Sequence, residues 1–281
     1  MSFSPVGLLN FLTPKSLGSR RIASGIAYGA GRRQKLDVYA PTGRRQAWPV
    51  VVFFYGGAWN EGDRRDFAFV GRWLAAEGYV VVVPDYGIIP EIEYPVFLED
   101  CAAAIRWVLA HAGRHGGDAG RLGLMGHSAG AYNAVMLALE GRYGIARDVH
   151  AVVGLSGPYD FYPFDVPISI RTFREAADPL ATQPVNLVTP AAPPMLLASG
   201  DDDTVVGPHN TVELAKALRA QGVAVDELHY SGFKHPATLL ELGTPLSRRS
   251  SLASEVLGFL DRTLGAGAGV DRRYDRVGER E

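Results

Sequence analysis

The chain has 281 residues, 47% of them hydrophobic, and a formal net charge of −2 at pH 7. This length and composition suffice for one large domain with a sizeable core. The near-neutral charge and the lack of basic blocks argue against nucleic acid and membrane surfaces as partners. Cys101 is the only cysteine, which excludes an intrachain disulfide, and no spacing typical of zinc ligands is present. We expect no metal site.

The N-terminal segment does not have the pattern of a signal peptide. Residues Met1 to Leu12 carry Pro5 and Asn10 among short apolar stretches and lack a basic start and a cleavage pattern. No run approaches the roughly 18 apolar residues that a membrane span requires. These features predict a cytoplasmic protein.

The spacing of apolar residues predicts an α/β fold. Two short alternating stretches, around 25–28 and 35–38, indicate an antiparallel hairpin. Continuous apolar runs follow and are typical of strands buried on both faces; they lie at 49–55, 79–83, 122–125, 149–155 and 195–198, and an alternating strand lies at 223–230. Helical patterns lie between and after them, at 67–77, 96–111, 131–139, 209–221 and 252–264. This alternation predicts a mostly parallel central sheet with helices on both faces and ligand chemistry at the carboxyl ends of the strands.

Two segments depart from the alternation. Residues 157–194 contain eight prolines and several aromatic residues, and we interpret them as a cap that forms a lid or pocket wall, with a long structural loop as the alternative. Residues 265–281 mix glycine, alanine and alternating charges without an apolar face, which predicts a disordered tail. The expected organisation is a single domain over 1–264 with the cap inserted at about 157–194.

The pentapeptide Gly126-His127-Ser128-Ala129-Gly130 lies between a predicted strand and a predicted helix. A Gly-x-Ser-x-Gly sequence in that position is typical of a nucleophile elbow. It lifts the serine hydroxyl above the edge of the sheet and places the Ala129 amide at the start of a helix. We predict that Ser128 is a nucleophile, and that His127 points away from it and has a packing role.

A serine nucleophile of this topology needs an acid that follows a later strand of the sheet. Three aspartates follow the strand 195–198, and the pattern Gly-x-x-Asp-x-x-Val selects Asp203, with Asp201 and Asp202 as turn formers. A calcium loop that begins at Asp202 is excluded because Thr204 and Val206 occupy positions where oxygen ligands belong.

The base should be a histidine after the last strand. His209 lies at the start of a helix and His229 lies inside a strand, so both are interpreted as structural. His235 follows the last strand and is predicted to be the general base.

The third requirement is a set of amides that stabilise an oxyanion. The first buried strand runs into Gly56-Gly57-Ala58-Trp59, where glycines permit close approach of the backbone to a substrate. We predict that the amides of Gly57, Ala58 and Ala129 form the oxyanion hole.

With these elements the chain resembles the α/β-hydrolases of the carboxylesterase and hormone-sensitive-lipase-like type, above all bacterial esterases and kynurenine formamidases that carry His-Gly-Gly-x-Trp and Gly-His-Ser-Ala-Gly. The resemblance extends from about Tyr39 to Leu260. It rests on Gly56-Gly57-Ala58-Trp59, Glu61-Gly62-Asp63, Pro84-Asp85-Tyr86, Pro95, Asp100, Gly126 to Gly130, Asp203 and His235. Tyr55 stands where the family has histidine, which leaves open how the glycine loop is held in place.

The sequence therefore predicts a serine hydrolase that cleaves short- to medium-chain carboxylic esters through an acyl-enzyme. The expected partner is a small-molecule ester, no cofactor is required, and homo-oligomerisation is left open. Substrate contacts are assigned to Tyr55, Trp59, Tyr159 and Phe161. The alternatives are an aryl formamidase that uses the same residues and a hydrolase-fold binding protein without catalysis.

Overall fold

A computed structural model describes residues 5–13, 18–43, 47–244 and 250–265 of the chain. Its centre is an eight-stranded sheet of order β1-β2-β4-β3-β5-β6-β7-β8. The strands are β1 Ser19–Ala27, β2 Lys35–Pro41, β3 Trp48–Phe54, β4 Val80–Pro84, β5 Gly117–His127, β6 Val149–Leu155, β7 Met195–Gly200 and β8 Val225–Tyr230. Strand β2 is antiparallel to both β1 and β4, and the pairs from β4 through β8 are parallel. The predicted hairpin and the mostly parallel sheet are confirmed.

The helices of the described residues are α1 Pro5–Leu12, α2 Ala68–Ala76, α3 Val96–His111, α4 Ala129–Leu139, α5 Pro167–Phe173, α6 His209–Ala220, α7 Ala237–Leu240 and α8 Leu252–Leu264. Five of them, α2, α3, α4, α6 and α8, lie in the intervals that the apolar pattern predicted. The central strands β3 and β4 are buried along their whole length, as their continuous apolar runs require. Because the strands from β4 through β8 are parallel, the carboxyl ends of β3, β5, β7 and β8 lie at one edge of the sheet.

Helix α1 was not predicted from the sequence. It packs beside the 3-10 turn Arg64–Phe67, where the Asn10 side chain donates to the Arg65 carbonyl at 3.0 Å and accepts from Arg72 at 2.8 Å. An eight-residue helix is marginal by itself in water. These long-range contacts, which no local pattern reveals, stabilise it.

Residues 157–194, for which the sequence predicts a cap and which we call the cap segment, contain α5 and two 3-10 turns, Leu180–Thr182 and Pro184–Leu187. Side chains of the body hold the backbone of this segment: Asn210 Oδ1 accepts from the amides of Tyr159 and Asp160 at 2.7 and 2.8 Å, and the Tyr132 hydroxyl donates to the Thr182 carbonyl at 2.9 Å. The cap segment is thus tied to α4 and α6 at several points. Of the predicted disordered tail, all but Gly265 lies outside the described residues.

In the part of the chain that the structure covers, no helix combines the length and apolar character needed to traverse a bilayer.

Candidate active site

Ser128 occupies the sharp turn between β5 and α4. Its backbone has φ 55° and ψ −124°, a strained conformation for a residue other than glycine. The turn is held by the Ser128 amide, which donates to the Leu155 carbonyl of β6 at 2.8 Å. A Cβ atom at Gly126 would lie 2.2 Å from the Gly130 carbonyl oxygen. A Cβ atom at Gly130 would lie 2.0 Å from the Phe54 carbonyl oxygen. Both glycines are therefore required by close backbone contacts.

The structure brings Ser128, His235 and Asp203 into one chain of hydrogen bonds. The Ser128 hydroxyl donates to His235 Nε2 at 2.9 Å, and His235 Nδ1 donates to Asp203 Oδ2 at 2.8 Å. Asp203 also accepts the amides of Val205 and Val206, each at 2.9 Å. Burial alone would raise the pKa of Asp203, but the hydrogen bonds from His235 and from these amides outweigh it and hold that pKa below its usual value. The carboxylate is thus ionised where it meets the imidazole.

The competing aspartates and histidines lie elsewhere. Asp201 and Asp202 are exposed, and their amides donate to carbonyls of the β8 segment and the loop after it. His229 contacts Ser199 and Glu227 through its two ring nitrogens, and His209 Nε2 donates to the Asp160 carbonyl at 3.1 Å. None of these side chains has a hydrogen bond to Ser128 or to His235 among the described residues.

The glycine loop after β3 lies against the nucleophile. A Cβ at Gly56 would be 3.0 Å from Ser128 Cβ, so only glycine lets the loop come this close. Gly57, Ala58 and Trp59 all have positive φ, at 130°, 49° and 57°. The Gly57 carbonyl accepts two amides further along the loop, each at 3.0 Å, which stabilises this strained turn.

The amides assigned to the oxyanion hole are those of Gly57, Ala58 and Ala129. Within the described ranges, none of the three donates a hydrogen bond to a backbone acceptor. Ala129 is the first residue of α4, and the amides of a first helical turn have no partner inside the helix. The groups needed to bind an anion are thus available.

Tyr55 does not lie where the sequence analysis placed it, in contact with substrate. The side chain is fully buried, and its ring stacks between Phe67 and Tyr86 with centroid separations of 5.0 and 4.9 Å. Its hydroxyl donates to Asp85 Oδ1 at 2.8 Å and accepts from Arg33 at 2.9 Å. The ring therefore points into the body of the protein.

The same contacts explain how the glycine loop is held without the family histidine. The Tyr86 hydroxyl donates to the Tyr55 carbonyl at 2.6 Å, and Arg33 donates to the carbonyls of Gly62 and Tyr86 at 2.7 and 2.8 Å. Asp85 also accepts the Arg64 amide at 2.7 Å and forms an ion pair with the Arg64 guanidinium. We call Arg33, Tyr55, Arg64, Asp85 and Tyr86 the loop network. No local sequence pattern predicts this network, although Pro84-Asp85-Tyr86 belongs to the motifs that carry the family resemblance.

Tyr159 is also part of the core rather than a pocket wall. It is fully buried, and its hydroxyl would lie 2.2 and 2.4 Å from a Cβ at Gly154 and Gly157. The ring, near the start of the cap segment, packs against the end of β6. Its burial leaves no exposed surface for the substrate contact that the sequence predicted for it.

Trp59 and Phe161 belong to an aromatic cluster between the glycine loop, α4 and the cap segment. Trp59 is 4% exposed, donates its indole N–H to Asn133 at 3.1 Å, and has ring neighbours at 5.2 to 5.9 Å. Phe161 is half-buried and lies 5.3 Å from Phe173. Three further residues belong to this cluster, Phe97, Tyr132 and Phe173, and none of them was among the predicted substrate contacts.

No group of three or more histidine, cysteine or acidic side chains in the described part of the chain is arranged to hold a metal ion.

The sheet order, the strained serine at the end of β5 and the hydrogen-bonded Ser-His-Asp set define an α/β-hydrolase. Residues 36–218 match the BD-FAE family model, and the chain belongs to the BD-FAE family. Among curated relatives, the isoprenylcysteine alpha-carbonyl methylesterase ICME of Arabidopsis thaliana is 28% identical over 79% of this chain and 58% of its own length. Esterase LipC of Mycobacterium tuberculosis is 30% identical over 77% of this chain and 60% of its own length. The chain thus spans about three fifths of the length of these relatives.

A solved structure supports the fold. The crystal structure of esterase B from Lactobacillus rhamnosis superposes with a TM-score of 0.77, covering 93% of this chain and 90% of that chain, at 18% identity. At this identity the likeness concerns the fold alone.

Proposed function

We propose that this protein is a serine hydrolase that cleaves short- to medium-chain carboxylic esters through an acyl-enzyme intermediate. The observation that carries the proposal is the chain of hydrogen bonds from Asp203 through His235 to Ser128, beside a loop with free amides. The similarity to a methylesterase and to esterase LipC supports ester hydrolysis as the reaction class.

The geometry supports a two-step reaction. His235 Nε2 accepts the proton from the Ser128 hydroxyl as the oxygen attacks the ester carbonyl. Asp203 keeps the proton on Nδ1 and stabilises the imidazolium that forms. The amides of Gly57, Ala58 and Ala129 bind the negative oxygen of the tetrahedral intermediate. His235 then protonates the leaving alcohol, and a water molecule repeats the sequence on the acyl-enzyme.

The aromatic cluster limits the size of the acyl group. Trp59 follows the proposed oxyanion donors directly, and the rings of Tyr132 and Phe173 pack against it edge-on at 5.3 and 5.2 Å. A pocket bounded by packed rings favours each added methylene by about 0.8 kcal/mol only while the chain still fits. We expect activity to rise or hold from acetyl to about butanoyl or hexanoyl esters and then to fall.

The first experiment tests the nucleophile. Ser128→Ala should abolish hydrolysis of p-nitrophenyl butanoate, with a loss of about 10³-fold or more, while circular dichroism and the melting temperature remain those of the wild type. The matched control is Ser254→Ala, which removes an exposed serine of α8. Wild-type activity in Ser128→Ala would refute the proposal.

The second experiment separates the substrate classes. A series of p-nitrophenyl esters from acetate to palmitate is compared with an N-formyl arylamine. Preference for the formamide would establish the aryl formamidase alternative, which uses the same serine, histidine and amides. A preference for palmitate over butanoate would contradict the proposed closed pocket. Turnover of no substrate in the series, with intact fold, would favour a binding protein.

A further inference from the structure

The residue before the nucleophile has a contact that links it to the proposed base. His127 is the last residue of β5 and is only 6% exposed. Its Nε2 lies 3.1 Å from the backbone carbonyl oxygen of His235, 108 positions along the chain. Ser128 is the next residue after His127, so this hydrogen bond joins the base segment to the strand end that carries the nucleophile.

We propose that His127 is a positioning residue, whose Nε2–H holds the His235 carbonyl and thereby fixes the imidazole of His235 over Ser128. This inference rests on the proposed function. It goes beyond the packing role that the sequence analysis assigned to His127.

The base segment needs such an anchor because it is a surface loop. Residues 231–236 lie between β8 and α7 and are mostly exposed, and Gly232 has φ 76°. The loop is held at Phe233, whose carbonyl accepts the Asp202 amide at 3.1 Å, and at Lys234, whose carbonyl accepts the Ala237 amide at 2.8 Å. The His235 carbonyl itself is bound by His127.

The anchor is rigid because of its place in the sheet. Strand β5 pairs with β3 on one side and β6 on the other, and the His127 carbonyl and ring both lie close to the Gly56 backbone. A serine and a histidine must be aligned to a fraction of an ångström for proton transfer, and a misplacement of about 1 Å can cost roughly 10²-fold in rate. A buried strand end provides that alignment better than an exposed loop.

The chemistry of the contact determines the state of His127. A carbonyl oxygen only accepts, so His127 Nε2 must carry the proton and Nδ1 is left bare when the ring is neutral. Burial, together with a smaller contribution from the neighbouring His235, lowers the pKa of His127 to about 3. The two ring centroids are 5.0 Å apart. A neutral His127 therefore donates its hydrogen bond without placing a second positive charge beside the imidazolium that forms on His235.

The test compares two substitutions of His127. His127→Gln retains an amide N–H that can reach the same carbonyl, whereas His127→Leu fills the site without a donor. With p-nitrophenyl butanoate, we expect His127→Leu to lower kcat by about 10- to 100-fold with KM changed by less than about 3-fold, and His127→Gln to stay within about 5-fold of wild type. The control is His111→Leu. It removes a similar contact elsewhere, the one between the His111 ring and the Trp107 carbonyl in the last turn of α3.

A spectroscopic measurement makes the test independent of turnover. The proton shared by His235 Nδ1 and Asp203 should give a low-field proton resonance in the wild type and in His127→Gln, and exchange should broaden or remove it in folded His127→Leu. Equal kcat in the Leu and Gln variants, a loss confined to KM, or an unchanged resonance in His127→Leu would each overturn the inference. An inactive wild type that shows this pattern of resonances would contradict the proposed function and support the positioning role.

Discussion

Tyr55→Phe tests whether the loop network, rather than the substrate, is the partner of this side chain. The substitution removes one hydroxyl and keeps the ring stack with Phe67 and Tyr86. It also keeps the hydrogen bond that the Tyr86 hydroxyl donates to the backbone carbonyl of residue 55. The glycine loop therefore retains its backbone anchor, and we expect a loss of stability with little loss of activity.

The size of the effect follows from the two contacts removed. The hydroxyl donates to Asp85 at 2.8 Å and accepts from Arg33 at 2.9 Å, and hydrogen bonds to charged groups contribute about 1.5–3 kcal/mol. Asp85 keeps the Arg64 amide, and Arg33 keeps two carbonyl acceptors, so neither charge is left alone. We expect the free energy of unfolding to fall by about 2 kcal/mol, which corresponds to about 4–8 °C in melting temperature for a domain of this size.

Urea denaturation and thermal melting measure the stability, and p-nitrophenyl butanoate measures kcat and KM. The control is Tyr162→Phe, which alters an exposed tyrosine of the cap segment and should change neither. A Tyr55→Phe variant with wild-type stability would refute the account of the loop network. A fall in kcat/KM of about 100-fold at unchanged stability would show that Tyr55 acts on the substrate, as the sequence analysis had it.

Three further predictions concern the remaining ionisable groups. Asp203→Asn should lower kcat by about 10³-fold or more, whereas Asp202→Asn, at an exposed position, should stay within a few-fold; equal losses would place the acid elsewhere. His235→Ala should be inactive in the same ester assay, while His229→Ala should stay active and lose stability in urea, because it removes only two structural hydrogen bonds; an inactive, folded His229→Ala would contradict this assignment. Acidification should destabilise the protein, because the folded state keeps His127 neutral down to a pKa of about 3 while the unfolded chain protonates near 6.5. The unfolded state then binds more protons between these values, so stability falls as pH drops through this window, by about 2 kcal/mol between pH 7 and pH 5. His127→Gln should lose that part of the dependence in urea titrations, and an unchanged dependence would refute the assignment.

Much of the fold could be read from local pattern. Continuous apolar runs specified the buried parallel strands, since a strand covered on both faces has no polar side. The position of Ser128 followed from a short motif whose glycines are required by contacts within the turn itself. The order of Ser128, Asp203 and His235 along the chain followed from the topology, because parallel strands bring their carboxyl ends to one edge.

The sequence by itself thus determined the fold class, the strand intervals, the five longer helices and the three residues that meet at the proposed site. Only the tertiary structure decided which way individual side chains face. Tyr55 and Tyr159 adjoin the loops expected to bind substrate, yet both point into the core, because the direction of a side chain at a strand end depends on the neighbouring backbone and on partners distant in sequence. The contact between His127 and the His235 carbonyl spans 108 positions. Such a contact leaves no local pattern, since it exists only once β5 and the loop after β8 are packed side by side.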